Sequence, residues 1–167
     1  TVIHYRGSVA GHSSEIMKDL YVEAAKRFFQ SNAVGVMYAH PDKSFHSLAW
    51  QQMQNIHKAL HATLPEAVDR YDETNVVVEP TFFSEMLGLQ GRMDMLQTDM
   101  RVLVEQKAGK AAYVYGDADA DTPKYKEQHY IQMLLYMAII RYNFRQLYEG
   151  NNRELHAFLL YSKYMHP

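Results

Sequence analysis

Asp94, Glu105 and Lys107 are residues whose types and spacing suit chemistry. They lie in "GLQGRMDML" and "LVEQKAG", two largely apolar runs joined through a polar turn, "QTDM". Residues two apart on a strand share a face, so Glu105 and Lys107 stand side by side. Across an antiparallel hairpin Asp94 is the opposite or diagonal neighbour of Glu105. Two carboxylates that close repel, and one pKa rises unless a cation lies between them. A divalent metal is the usual solution, since Mg²⁺ takes one or two carboxylates and keeps waters for substrate phosphates. An ammonium beside such a pair orients an attacking water or stabilises charge growing on a pentacovalent phosphate. The same residues also read as a surface Asp–Lys–Glu cluster, and D-x10-E-x-K alone does not separate the two readings.

Neighbouring residues bear on that choice. Gly91, three before Asp94, leaves room for a backbone or ligand to approach. Gln132 and Tyr136 in "HYIQMLLYMAII" are at i and i+4 on one helix face, with Gln128 or His129 above them. An amide and a phenol facing a sheet can grip a phosphate or a base. They can equally be a solvated Gln and a satisfied core Tyr. The other side of that helix, Leu, Met and Ile, reads as core packing.

The elements that must position these groups follow from periodicity. Residues 12–30 read as a helix, with Ile16, Leu20, Ala24 and Phe28 at helical spacing and Ser13 or Ser14 as its cap. A connection, with room for a short strand, leads to a second helix over 47–64, ended near Pro65. Strands are expected near 76–83, 87–97 and 100–107. An exposed acidic loop, "GDADADTP", precedes a long helix closed at Gly150. Residues 153–164 read as a last strand. Helices, three strands, helix and strand make an α/β fold with a mixed sheet, and no internal linker divides 1–167 into two domains.

Composition narrows the classes. At 47% hydrophobic residues the chain is not of the disordered type, and no apolar run is long enough to span a membrane. The absence of Cys excludes disulfides, thiolate zinc sites, Cys nucleophiles and Cys-held iron–sulfur clusters, and fits a reducing cytoplasm. The net charge of −2 gives no global argument for nucleic acid, but residues 124–167 carry +3 and the remainder −5. A positive C-terminal surface of this kind can guide a polyanion, or be ordinary solvated charge. The start lacks both an initiator Met and a signal pattern, and no G-x-x-x-x-G-K-[ST] motif occurs, so a fragment of a larger protein is expected.

In order, "GLQGRMD", "VLVEQKAGK" and "HYIQMLLY" resemble the G-x-x-D, E-x-K and Q-x-x-x-Y motifs of the PD-(D/E)XK nucleases, RecB-like branch. Within it, the chain is most similar to the nuclease domain of flap-processing replication helicase–nucleases and to the CRISPR-associated exonuclease. The match spans roughly 80–136. The resemblance implies a restriction-endonuclease-like core, a central mixed sheet flanked by helices. It implies a Mg²⁺- or Mn²⁺-dependent deoxyribonuclease of DNA replication or repair, acting on single-stranded DNA or flaps, with a helicase region in the same parent chain. Asp94 and Glu105 match the metal-binding carboxylates, Lys107 the catalytic lysine and the Gln106 carbonyl a further metal-ligand position. Gln132 and Tyr136 match the motif that holds nucleic acid or orders the site. The branch also uses a His on its first helix. His12 fits that role, with His46, His57 and His61 as alternatives. Glu85, close ahead of the strand that carries Asp94, is a candidate supporting residue. Many relatives carry four Cys around an iron–sulfur cluster, and this chain has none, so no such cluster is expected. Tyr125, Tyr130 and Tyr136 are available to stack on unpaired bases. Two rivals stand beside the nuclease: a catalytically inactive nuclease-like module that binds nucleic acid or protein, and a metal hydrolase of small phosphoesters.

Overall fold

The computed structural model of the chain describes residues 14–111, 124–150 and 153–164. The helices α1 (Ser14–Ser31), α2 (Ala33–Ala39) and α3 (Lys43–Lys58) come first. Of the two expected caps, Ser14 is the first residue of α1, and Ser13 lies outside the described residues. Asp42 caps α3, its side chain accepting from Phe45 N at 3.0 Å. Aromatic side chains join α1 to α3: the Tyr21 and Trp50 rings meet edge to face at 5.6 Å.

Two expectations fail in this half. The connection after α1 holds the helix α2 and no strand. Its Val residues favour strands only where a pleated neighbour exists, and α2 has no buried residue. Pro65 also does not stop the second helix. A π turn, Ala59–Thr63, carries the chain on into α4 (Leu64–Ala67). Leu64 N reaches back to Ala59 O, and Pro65, with no N–H to place, sits in the first turn of the new segment.

The strands are β1 (Val76–Val78), β2 (Thr81–Ser84), β3 (Leu89–Arg92), β4 (Met95–Gln97), β5 (Val102–Lys107) and β6 (His156–Tyr161). One mixed sheet has the order β1-β4-β5-β6, antiparallel except for the parallel β5–β6 pair, and β2-β3 form a separate antiparallel pair. The helices α5 (Glu127–Asn143) and α6 (Arg145–Tyr148) cross over between β5 and β6, and Gly150 follows at φ +80°.

The expected strand 87–97 is interrupted. Val76 pairs with Gln97 and Thr81 with Arg92, so β1–β2 and β3–β4 share one register along a single hairpin. The hairpin bends at Glu79, whose φ is +51°, and at Pro80, which lacks a ladder N–H. Glu79 N still bonds Asp94 O and Met93 N bonds Pro80 O across the bend. Only the β4 half remains beside β5, and Asp94 sits where β3 leaves the sheet.

Both faces of the sheet are covered. Val102, Val104, Met95 and Leu160 pack with Ile56, Leu60, Leu64 and Val68 from the α3–α4 side. Leu96, Leu103 and Met93 pack with Met133, Tyr136 and Ile140 of α5. The run "VLV" in β5 is fully buried because each face has its own helical layer. Ile131, Leu134 and Leu135, expected in the core, lie exposed on the outer side of α5.

Candidate functional site

The β4–β5 register sets Met95 against Val104 and Leu96 against Leu103. One step further places Asp94 opposite Glu105. Odd-numbered β5 residues bond the parallel neighbour, as His156 N to Arg101 O and Ser162 N to Lys107 O mark at the two ends. The backbone of Gln106 therefore faces the other way, past the end of β4. Its N–H donates to Asp94 Oδ2 at 2.7 Å, and its carbonyl opens on the same side.

Glu105 and Lys107 project toward α5. Lys107 Nζ donates to Glu105 Oε1 at 2.7 Å and to Gln132 Oε1 at 2.7 Å. Gln132 Nε2 donates to Glu105 Oε1 at 3.0 Å and to the Tyr136 hydroxyl at 2.7 Å. Tyr136 donates in turn to Arg92 O at 2.8 Å, which ties α5 to the bent strand carrying Asp94. The Tyr136 ring lies against Gly91, where a Cβ would come within 2.6 Å of Cε1. The room at Gly91 is thus filled by an aromatic ring.

The electrostatics are those of a buried carboxylate with one ammonium beside it. The Glu105 side chain is 5% exposed. Burial pushes its pKa up, the Lys107 hydrogen bond pulls it back, and Asp94 adds an upward push; the balance is a raised value. Among the described residues Glu105 Oε2 is buried with no hydrogen-bond partner. A lone buried carboxylate oxygen beside a half-buried Asp94 and a free-edge carbonyl suits an ion that takes few protein oxygens. No group of three His, Asp or Glu side chains that could hold a metal occurs among the described residues. Mg²⁺ does not require one, because it keeps several waters.

The other candidates separate. His12 lies outside the described residues. His46 belongs to the α1–α3 aromatic contacts, bonded to the Tyr21 hydroxyl at 3.0 Å. His57 and His61 meet in a tilted contact at 4.4 Å on the helical layer covering the opposite face of the sheet, and His61 Nδ1 meets Glu73. Glu85 does not support the site: it is exposed in the β2–β3 turn, at the far end of β3 from Asp94. Tyr136 cannot stack on a base, because its ring is buried and its hydroxyl is engaged. Gln132 bridges Lys107, Glu105 and Tyr136, so both residues hold the site's groups in place.

Sequence reasoning missed Tyr161 and Lys126. Tyr161 is the register partner of Lys107 on β6. Its hydroxyl accepts from Lys126 N at 3.0 Å and lies 2.9 Å from His129 Nδ1. Burial lowers the His129 pKa, and the charges of Lys107 and Lys126 lower it further. The only advance signal for Tyr161 was its place on a strand whose parallel pairing the sequence does not state. No protein-family model, curated protein or solved structure matches the chain.

Proposed function

We propose that the chain is a divalent-metal-dependent deoxyribonuclease with a restriction-endonuclease-like core, hydrolysing phosphodiester bonds in single-stranded DNA or flaps. The observation that carries this reading is Asp94 held at the end of β4 by Gln106 N–H, one step beyond the register that faces Glu105, with one oxygen of Glu105 left without a hydrogen bond and Lys107 fixed beside it. Asp94, Glu105 Oε2 and the Gln106 carbonyl would hold Mg²⁺ or Mn²⁺. A bound ion of this kind supplies Lewis acidity toward a phosphodiester and a nucleophilic water.

The chain's own groups do the rest. Lys107 spends two of its three N–H donors on Glu105 and Gln132, and the third can meet a phosphoryl oxygen where charge grows. Gln132 and Tyr136 hold that ammonium against rotation, so little reorganisation is needed when substrate arrives. The test is cleavage of labelled single-stranded DNA with Mg²⁺ or Mn²⁺ by the parent, Asp94→Ala and Lys107→Ala. Parent cleavage lost in both variants supports the reading. Equal rates in all three proteins would end it. A parent that binds DNA and gains no stability from metal would instead match an inactive binding module.

A further inference from the structure

Tyr125 and Tyr130 stack on each other at the start of α5, ring centroids 4.6 Å apart and planes 22° from parallel. They are 55% and 40% exposed, so the pair keeps open aromatic surface facing solvent. Between them in sequence are Lys126, Glu127, Gln128 and His129, of which the first three are exposed and His129 is partly buried. Lys126 and His129 lead back to the site, since Tyr161, the strand neighbour of Lys107, contacts Lys126 N and His129 Nδ1. Lys126 N–H donates to the Tyr161 hydroxyl, which lies 2.9 Å from His129 Nδ1. The exposed Lys126 side chain and the partly exposed His129 ring are thus held next to the ring pair.

We infer that Tyr125 and Tyr130 form a base-stacking platform beside the Lys107 site, with Lys126 and His129 taking the adjoining phosphate, and that this platform selects unpaired strand over duplex. The inference rests on reading Lys107 and its carboxylates as a cleavage centre and adds what chooses the substrate. Two rings already held parallel extend a stack at small ordering cost, and every base has a face to offer. A base inside a duplex has both faces covered, so the platform reaches only unpaired or frayed nucleotides. The phosphate donors adjoin the rings, which is the arrangement of aromatic surface and positive charge that follows a single strand.

The experiment measures binding of a labelled oligothymidine and of a hairpin-closed duplex to the full chain by anisotropy in EDTA, where nothing is cut. Tyr125→Ala/Tyr130→Ala should weaken oligothymidine binding between about fivefold and roughly 100-fold and leave duplex binding unchanged. Tyr125→Phe/Tyr130→Phe should keep the parental affinity, because the rings remain. Should the double Ala variant fold poorly, Tyr125→Leu alone, ahead of the helix, carries the same expectation in the same direction. Parental affinity in the Ala or Leu variants, or equal loss on oligothymidine and duplex, overturns the platform. A separate Mn²⁺ cleavage assay keeps the two claims apart. Ring-dependent binding without any cleavage sustains the platform and refutes the nuclease. Cleavage of single strands by the double Ala variant at the parental rate and affinity refutes the platform alone.

Discussion

Gly91→Ala reports on the packing that holds the site together. A Cβ at this position would lie 2.6 Å from Tyr136 Cε1 and 2.9 Å from Cδ1. Ordinary contact begins near 3.4 Å, so the ring must retreat by about 0.8 Å. It has little freedom to do so. The ring is packed with Met93, Leu96, Leu103, Met133 and Ile140, and its hydroxyl is bonded to Arg92 O and Gln132. Forcing one carbon into such a core costs about 1–3 kcal/mol. Loss of glycine's freedom in the unfolded chain returns roughly 0.4–1 kcal/mol. The net should lower the melting temperature by several degrees, at roughly 2–4 °C per kcal/mol for a chain of this size. Calorimetry on Gly91→Ala, Tyr136→Leu and the pair gives the decisive quantity. With the ring removed, the extra methyl should cost far less, a coupling of about 1 kcal/mol or more. If Gly91→Ala melts with the parent, or the two changes add, the ring does not lie against Gly91. The same shift pulls Tyr136 from Gln132, so activity should fall more in Gly91→Ala than its stability alone explains.

Three other outcomes follow. In the metal-free protein the raised Glu105 pKa means the folded state binds its proton more tightly than the unfolded one. Stability therefore falls as pH rises from the unfolded value near 4.5 through the raised folded value, and Lys107→Ala, which removes the compensating ammonium, should steepen that fall in pH-dependent melts. Mg²⁺ or Mn²⁺ should raise the melting temperature of the parent and not of Asp94→Ala, with the gain growing as Glu105 ionises. Asn55 donates to Ser162 O at 3.0 Å and Lys163 O at 2.9 Å from a buried position, so Asn55→Leu should destabilise by about 1–3 kcal/mol in denaturant titration and loosen the chain after β6.

The site was legible where period and register act together. Strand alternation put Glu105 and Lys107 on one face, the hairpin turn put Asp94 across from Glu105, and helical spacing put Gln132 and Tyr136 on one side of α5. The bend was not legible. The alternation of apolar and polar residues continues through Met93 and Asp94 because one register spans the whole hairpin, so 87–97 reads as a single strand. What breaks it is Glu79 and Pro80 on the opposite strand. The outer face of α5 misled for a related reason. Ile131, Leu134 and Leu135 are as apolar as the residues facing the sheet, and a helix apolar on both sides gives periodicity nothing to choose between. Pro65 misled because a π turn ahead of it removes the conflict that ends an ordinary helix. Tyr161 joins the site through a parallel pairing between strands separated by a helix, a long-range fact that local pattern does not carry.

A crystal of this chain soaked in Mn²⁺ tests the central claim most directly. Anomalous density bridging Asp94 and Glu105 at about 2.0–2.3 Å from a carboxylate oxygen of each, with the Gln106 carbonyl beside it, is the predicted result. Saturating Mn²⁺ with no density between the two carboxylates, or density only at His57, His61 and Glu73, would contradict the account.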